Sequence, residues 1–137
     1  MKKLFFTTIL LAIAGISFCQ SVQPGNLLGF HVMTVTLDPD VTMNQYKKFF
    51  SEKVVPAYNE HFKDTKTYLV EGINGVEKNH LGIMIIYSSQ EVKDRYYDRD
   101  GNRTDYGKTV WAKIDPVMKE LNKLGTVSAE YTDWLVQ

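Results

Sequence analysis

Hydrophobic and polar positions follow two different periods along this chain, and each change of period marks an element. Leu27 to Leu37 reads LLGFHVMTVTL, a β-rich run bounded by Asn26 and by Asp38-Pro39-Asp40. Its even positions carry Leu28, Phe30, Val32, Thr34 and Thr36; its odd positions carry Gly29, His31, Met33, Val35 and Leu37. Both sets are largely apolar, so both faces of this strand are expected to be covered. From Thr42 the period lengthens. Thr42-x-x-Gln45 is a capping box, and Tyr46, Phe49, Phe50, Val54, Ala57, Tyr58, His61 and Phe62 recur at helical steps. Pro56 has no N–H for the carbonyl four residues back, which predicts a kink between Glu52 and Pro56.

Two further β-rich runs, Thr67 to Ile73 and Val76 to Tyr87, flank Asn74-Gly75, a strong signal for a two-residue hairpin turn. That turn sets Ile73 against Val76, Glu71 against Lys78, Tyr68 against Leu81 and Leu69 against His80. Tyr68 and Val70 then share a face with Leu81, Ile83, Ile85 and Tyr87. Ser88-x-x-Glu91 reads as a second capping box before a short helix with Val92, Arg95 and Tyr96. Asp98 to Asp105 is a polar loop. A longer helix carries Tyr106, Val110, Trp111, Ile114, Val117, Met118, Leu121 and Leu124, with a kink expected at Pro116 and a cap at Gly125. The last run, Thr126 to Val136, alternates Val127, Ala129, Tyr131 and Leu135 with Ser128, Glu130, Thr132 and Trp134.

The order is strand, helix, strand, strand, helix in two pieces, strand. With hairpins and right-handed crossovers this is the split βαβ, ferredoxin-like class of α+β fold: a four-stranded antiparallel sheet with helices on one face. Those helices cover one side only, so dimerisation is expected to cover the other, and the chain itself is the expected partner.

Composition narrows the picture in three ways. A length of 137 residues allows one domain, expected over residues 27–137. Sixteen basic against sixteen acidic side chains give no polybasic surface, so neither nucleic acid nor an anionic membrane is an expected partner. One cysteine excludes a disulfide framework and a Cys-rich metal site.

That cysteine belongs to a segment outside the fold. Lys2 and Lys3 precede an apolar run from Leu4 to Ile16, too short for a membrane span and patterned like a secretory signal. Ser17 and Cys19 suit cleavage after Cys19, which makes 1–19 a removed leader and 20–26 a flexible N-terminus. The protein is then exported, to the periplasm or the exterior. The alternative is a lipoprotein retained through an acylated Cys19, against which the bulk of Phe18 counts. Mature protein from the envelope fraction should begin at Gln20 or its cyclised form, as intact-mass spectrometry reads; acylated Cys19 at its N-terminus would overturn this.

The stretch from Met33 through Arg95 resembles the dimeric α+β barrel superfamily, in its NIPSNAP-like and antibiotic-biosynthesis-monooxygenase-like branches. The resemblance lies in a first strand followed by a helix ending KVVPAYNEHF (Lys53 to Phe62). A hairpin follows, then the apolar strand GIMIIYSS (Gly82 to Ser89) running into a short helix with an arginine. It implies two copies packed sheet to sheet around a pocket. That superfamily holds enzymes, binding proteins and members without assigned activity, so the fold does not carry a function over.

Candidate chemistry centres on His31, a mid-strand imidazole with Met33 on its face. It is a candidate general base or ligand contact, because its ordinary pKa lies near neutrality. Glu130 and Trp134, on the more polar face of the last strand, are expected beside His31, completing a pocket of His31, Met33, Glu130 and Trp134. His61 and His80 read as ordinary surface histidines. Asp98-Arg-Asp-Gly-Asn102 looks like a calcium loop but fails the EF-hand spacing, because Gly101 at position six puts Tyr96 at position one. No nucleophile triad, P-loop or dinucleotide fingerprint occurs. No cofactor and no metal site are expected. Three functions remain: a pocket protein for a small apolar or aromatic ligand, a cofactor-independent monooxygenase or isomerase with His31 and Glu130 as acid–base groups, and a structural dimer without ligand.

Overall fold

A computed structural model describes residues 21–137; the leader, its cleavage after Cys19 and the lipid-anchored alternative lie outside these. The elements run β1 (Leu27–Leu37), α1 (Met43–Phe49), α2 (Val55–His61), β2 (Thr65–Glu71), β3 (Leu81–Tyr87), α3 (Gln90–Tyr96), α4 (Asp105–Leu121) and β4 (Gly125–Leu135). The strands form one antiparallel sheet in the order β2-β3-β1-β4. This is the ferredoxin-like arrangement that the element order predicts. The sheet is open, and its helices lie on one face.

Local chemistry accounts for the helix ends. Thr42 caps α1 with both halves of the expected box in place: its hydroxyl accepts from Gln45 N–H, and the Gln45 side chain receives Thr42 N–H at 2.8 Å. Between α1 and α2, residues Phe50–Val54 form a wide π-type turn in which Val55 N–H reaches back to Phe50 C=O. The kink expected at Pro56 therefore takes the form of an inserted turn, which absorbs the donor that proline lacks. Ser89, not Ser88, caps α3, with its hydroxyl facing Val92 N–H. α4 runs unbroken past Pro116 to Leu121 with Asn122 as its C-cap, while Gly125 opens β4 instead of capping the helix.

The hairpin register differs from the expected one by three residues. Glu71 pairs with Leu81, Leu69 with Ile83 and Tyr68 with Met84. Asn74-Gly75 sits inside a longer loop, closed by Gly72 N–H on His80 C=O at 2.9 Å and Asn79 N–H on Gly72 C=O at 2.7 Å. Asn79, at φ 71°, supplies the extra bulged residue. An odd shift exchanges the faces of β2. Thr65, Thr67 and Leu69 now point with Leu81, Ile83, Ile85 and Tyr87 toward the helices; Tyr68 and Val70 join Met84 and Ile86 on the open side.

The core lies between the helices and the odd-numbered residues of the central strands. Leu27, Met33, Leu81, Ile85 and Tyr87 pack against Tyr46, Phe50, Val54, Tyr58, Phe62, Val110 and Ile114. Burying side chains of this size contributes roughly 1.5–3 kcal/mol each. β2, at one edge of the sheet, is blocked on its outer side at one residue: Asn59 donates to Thr67 C=O at 3.2 Å and accepts from Thr67 N–H at 2.7 Å. β4, at the other edge, is exposed along almost its whole length. The open face carries Leu28, Phe30, Val32, Val70 and Met84, all half-buried, with Tyr68 and Trp134 exposed beyond them. Among the described residues no helix is long and apolar enough to cross a membrane.

Candidate functional site

The antiparallel register places His31 opposite Tyr131 on β4 and opposite Ile83 on β3. Directly paired residues share a face, so His31 and Tyr131 both point to the helix side, with ring centroids 4.4 Å apart. Gly29, one step along that face, lets the neighbouring rings lie flat across β1. A Cβ there would press on Tyr87 at 3.2 Å and on Tyr131 at 3.4 Å. His31, Tyr87 and Tyr131 thus form a floor.

α3, α4 and the loop between them supply the walls of a cleft of about 350 Å³. Trp111 of α4 donates its indole N–H to the Tyr97 hydroxyl at 2.9 Å. Its ring meets Tyr58 and Phe62 edge-on, at 5.6 and 5.8 Å, which fixes its plane. Lys93 of α3 pairs with Asp133 and lies 5.4 Å from the centroid of Tyr131, whose hydroxyl also donates to Asp133. The Arg103 guanidinium stacks 3.9 Å from the centroid of Trp111 at the rim.

Burial sets the protonation of the floor. Desolvation lowers the His31 pKa below its ordinary value, and the nearby Asp133 carboxylate opposes this only in part. The imidazole is therefore neutral at pH 7 and able to accept a proton. Desolvation raises the Tyr87, Tyr97 and Tyr131 phenols, which stay protonated; Tyr131 gives its O–H to Asp133, which leaves Tyr87 and Tyr97 as donors. The cleft offers ring faces, neutral hydrogen-bonding groups and a cationic rim. It suits a planar, largely apolar ligand bearing a polar substituent.

The four residues expected to share one pocket are divided between the two sides of the sheet. His31 lies on the cleft floor. Met33, on the same face, is 2% exposed and sealed into the core against Leu81, its partner on β3. Glu130 pairs with Val32 and Trp134 with Leu28, so both point to the open side, away from His31. Alternation along β4 puts Tyr131 and Asp133 where Glu130 and Trp134 were expected. Glu130 borders a separate, more polar depression of about 430 Å³ together with Thr34, Glu77 and His80. Trp134 is 63% exposed, its indole N–H on Thr132. Because His31 faces the helices, it cannot line a pocket enclosed between two sheets; its cleft lies within one chain.

Sequence reasoning did not find Tyr87, Lys93, Tyr97, Arg103, Trp111 or Tyr131. Tyr131 alone had a usable signal, since running Leu27–Leu37 antiparallel to the last strand brings it opposite His31. The polar loop turns out to be a positioning device. The Asp98 carboxylate receives the N–H groups of Asp100 and Asn102, and Tyr97 and Arg103 bridge across its base.

No protein-family model matches the chain, and no curated protein matches it. Three solved structures are similar in outline. A dimeric protein of unknown function and ferredoxin-like fold from Bacteroides fragilis NCTC 9343 has TM-score 0.45 and 10% identity, covering 81% of this chain and 96% of that one. SnoaB, a cofactor-independent oxygenase from Streptomyces nogalater, has TM-score 0.45 and 9% identity, covering 82% and 94%. A dimeric ferredoxin-like protein of unknown function from Thermobifida fusca YX has TM-score 0.40 and 11% identity, covering 85% and 95%. Likeness at this level carries no argument about assembly or activity.

Proposed function

We propose that this is an exported, homodimeric binding protein whose cleft between sheet and helices holds a small aromatic ligand. One observation carries the reading: Tyr97, Trp111 and Tyr131 converge with a neutral His31 on a single open cleft, over the buried ring of Tyr87. Rings serving only to pack a core would be sealed, whereas Tyr131 is 42% exposed and Tyr97 and Trp111 remain half-open. The dimer rests on the apolar open face, which a second copy would cover through a two-fold, self-complementary contact.

The neutral imidazole favours a second reading, in which His31 takes a proton from a phenolic substrate in a cofactor-independent oxidation. Both readings meet in one experiment. Titration calorimetry with 1-naphthol is expected to show binding that weakens about tenfold in Tyr131→Ala, since stacked aromatic contact is worth about 0.5–1.5 kcal/mol in addition to the apolar area it buries, and both are lost. No heat from the unaltered protein would overturn the aromatic-ligand reading. Dioxygen uptake with a dihydroxynaphthalene, lost in His31→Ala while the fold persists, would establish the enzyme; binding without uptake would leave a carrier.

A further inference from the structure

We propose that the cleft selects aromatic carboxylates, with the ring held among Tyr97, Trp111 and Tyr131 and the carboxylate received by Arg103. This rests on the aromatic-ligand reading above and adds the charge of the ligand to it.

Lys93 is neutralised by Asp133, and His31 is neutral. Arg103 has no carboxylate partner among the described residues, although eight other ion pairs form there. The cleft therefore has one uncompensated cation, and it sits at the rim.

That cation is also held in place. Its guanidinium lies over the Trp111 ring at 3.9 Å. Its backbone is bridged to Tyr97, and the loop behind it is tied by the Asp98 carboxylate. Stacking uses the flat face of a guanidinium and leaves the N–H groups at its edge free. Those edge groups form the planar fork that matches a carboxylate bidentately. The field of Arg103 reaches inward, working against burial to lower the Tyr58 and Tyr97 phenols.

The same site suits a phosphate poorly. A phosphate dianion is usually met by several donors or by a helix N-terminus. The first turn of α4, beside Arg103, already carries Asp105, which is paired with Lys108. One fork next to a slot walled by rings fits a planar acid.

Calorimetry on the mature chain with two matched probes, 2-naphthoate and the neutral 2-naphthamide, tests this. The unaltered protein is expected to bind naphthoate about tenfold tighter or more, as a charge-assisted bidentate pair allows. Arg103→Gln should bring that preference to within about threefold, and Arg103→Lys should restore only part of it, because a lysine lacks the fork. Arg103 is exposed, and a thermal melt verifies that each variant is folded. Equal binding of both probes by the unaltered protein would overturn the carboxylate inference and leave the aromatic cleft standing. Binding of neither would overturn the aromatic reading itself. A preference that survives Arg103→Gln would assign the anion to another group and overturn the role given to Arg103.

Discussion

Phe30→Asp is expected to convert the protein from a dimer to a monomer at micromolar concentration, halving the mass that light scattering reports. Phe30 stands near the middle of the open face, opposite Met84 on β3 and Thr132 on β4. It and Val70 close over Gly82, where a Cβ would meet Phe30 at 3.2 Å and Val70 at 3.1 Å. An interface on this face should bury at least about 1,000 Å², the lower range for specific complexes. By two-fold symmetry the substitution places two uncompensated carboxylates in it. Each costs about 3 kcal/mol or more when desolvated without a partner, so the pair weakens association by about four orders of magnitude. The fold should persist, since Phe30 does not belong to the core between sheet and helices. Thr34→Asp, at an exposed position on the same face, is the milder comparison. An unaltered protein that runs as a monomer would sink the dimer, and a Phe30→Asp variant that stays dimeric would move the interface elsewhere.

Gly107→Ala should destabilise the monomer fold strongly, against the usual direction of that exchange. Alanine inside a helix ordinarily gains about 1 kcal/mol over glycine. Gly107 lies in the first turn of α4, where a Cβ would stand 2.2 Å from the carbonyl oxygen of Tyr96 and 3.0 Å from its carbonyl carbon. Backbone cannot rotate out of the way as a side chain can. Tyr96 is fully buried; its carbonyl receives Thr104 N–H at 3.0 Å and its hydroxyl donates to Lys63 C=O at 3.0 Å. Relieving the contact therefore means separating α3 from α4. The net loss is expected at about 2–4 kcal/mol, read as a fall in melting temperature of about 10 °C or more. A melting temperature that holds or rises would show that the two helices have room to spare.

The parts of the structure that were legible in the sequence are those decided by neighbouring residues. β1 is bounded by Asn26 and Asp38 as its flanking turn residues require, and the Thr42–Gln45 box caps α1 with both of its hydrogen bonds. The hairpin shows where local information fails. Asn74-Gly75 favours a tight turn, but β3 is apolar on both faces, so its own pattern accepts either register. Packing chose between them, turning Leu81, Ile85 and Tyr87 to the helices and placing Thr67 under Asn59. The candidate site divides the same way. His31 was visible as an imidazole in an apolar strand. Glu130 and Trp134 drew attention because they are polar or aromatic on an alternating strand, yet alternation alone does not say which set faces His31. Lys93, Arg103 and Trp111 come from a helix, a loop and a second helix; only the packing of α3 and α4 over the sheet brings them together.

Asn59 has a consequence for how this sheet can grow. A strand edge recruits another strand by offering unpaired N–H and C=O groups, and polymerisation by strand addition needs such an edge at both ends of the sheet. At β2 one amide side chain occupies the donor and the acceptor of Thr67 together, as an incoming backbone would. β4 has no such cover along its outer side among the described residues. Strand addition across β2 is therefore obstructed at Thr67, whereas β4 offers an edge without that obstruction. A single asparagine on α2 gives the sheet two unequal edges, so growth by strand addition is favoured from the β4 side.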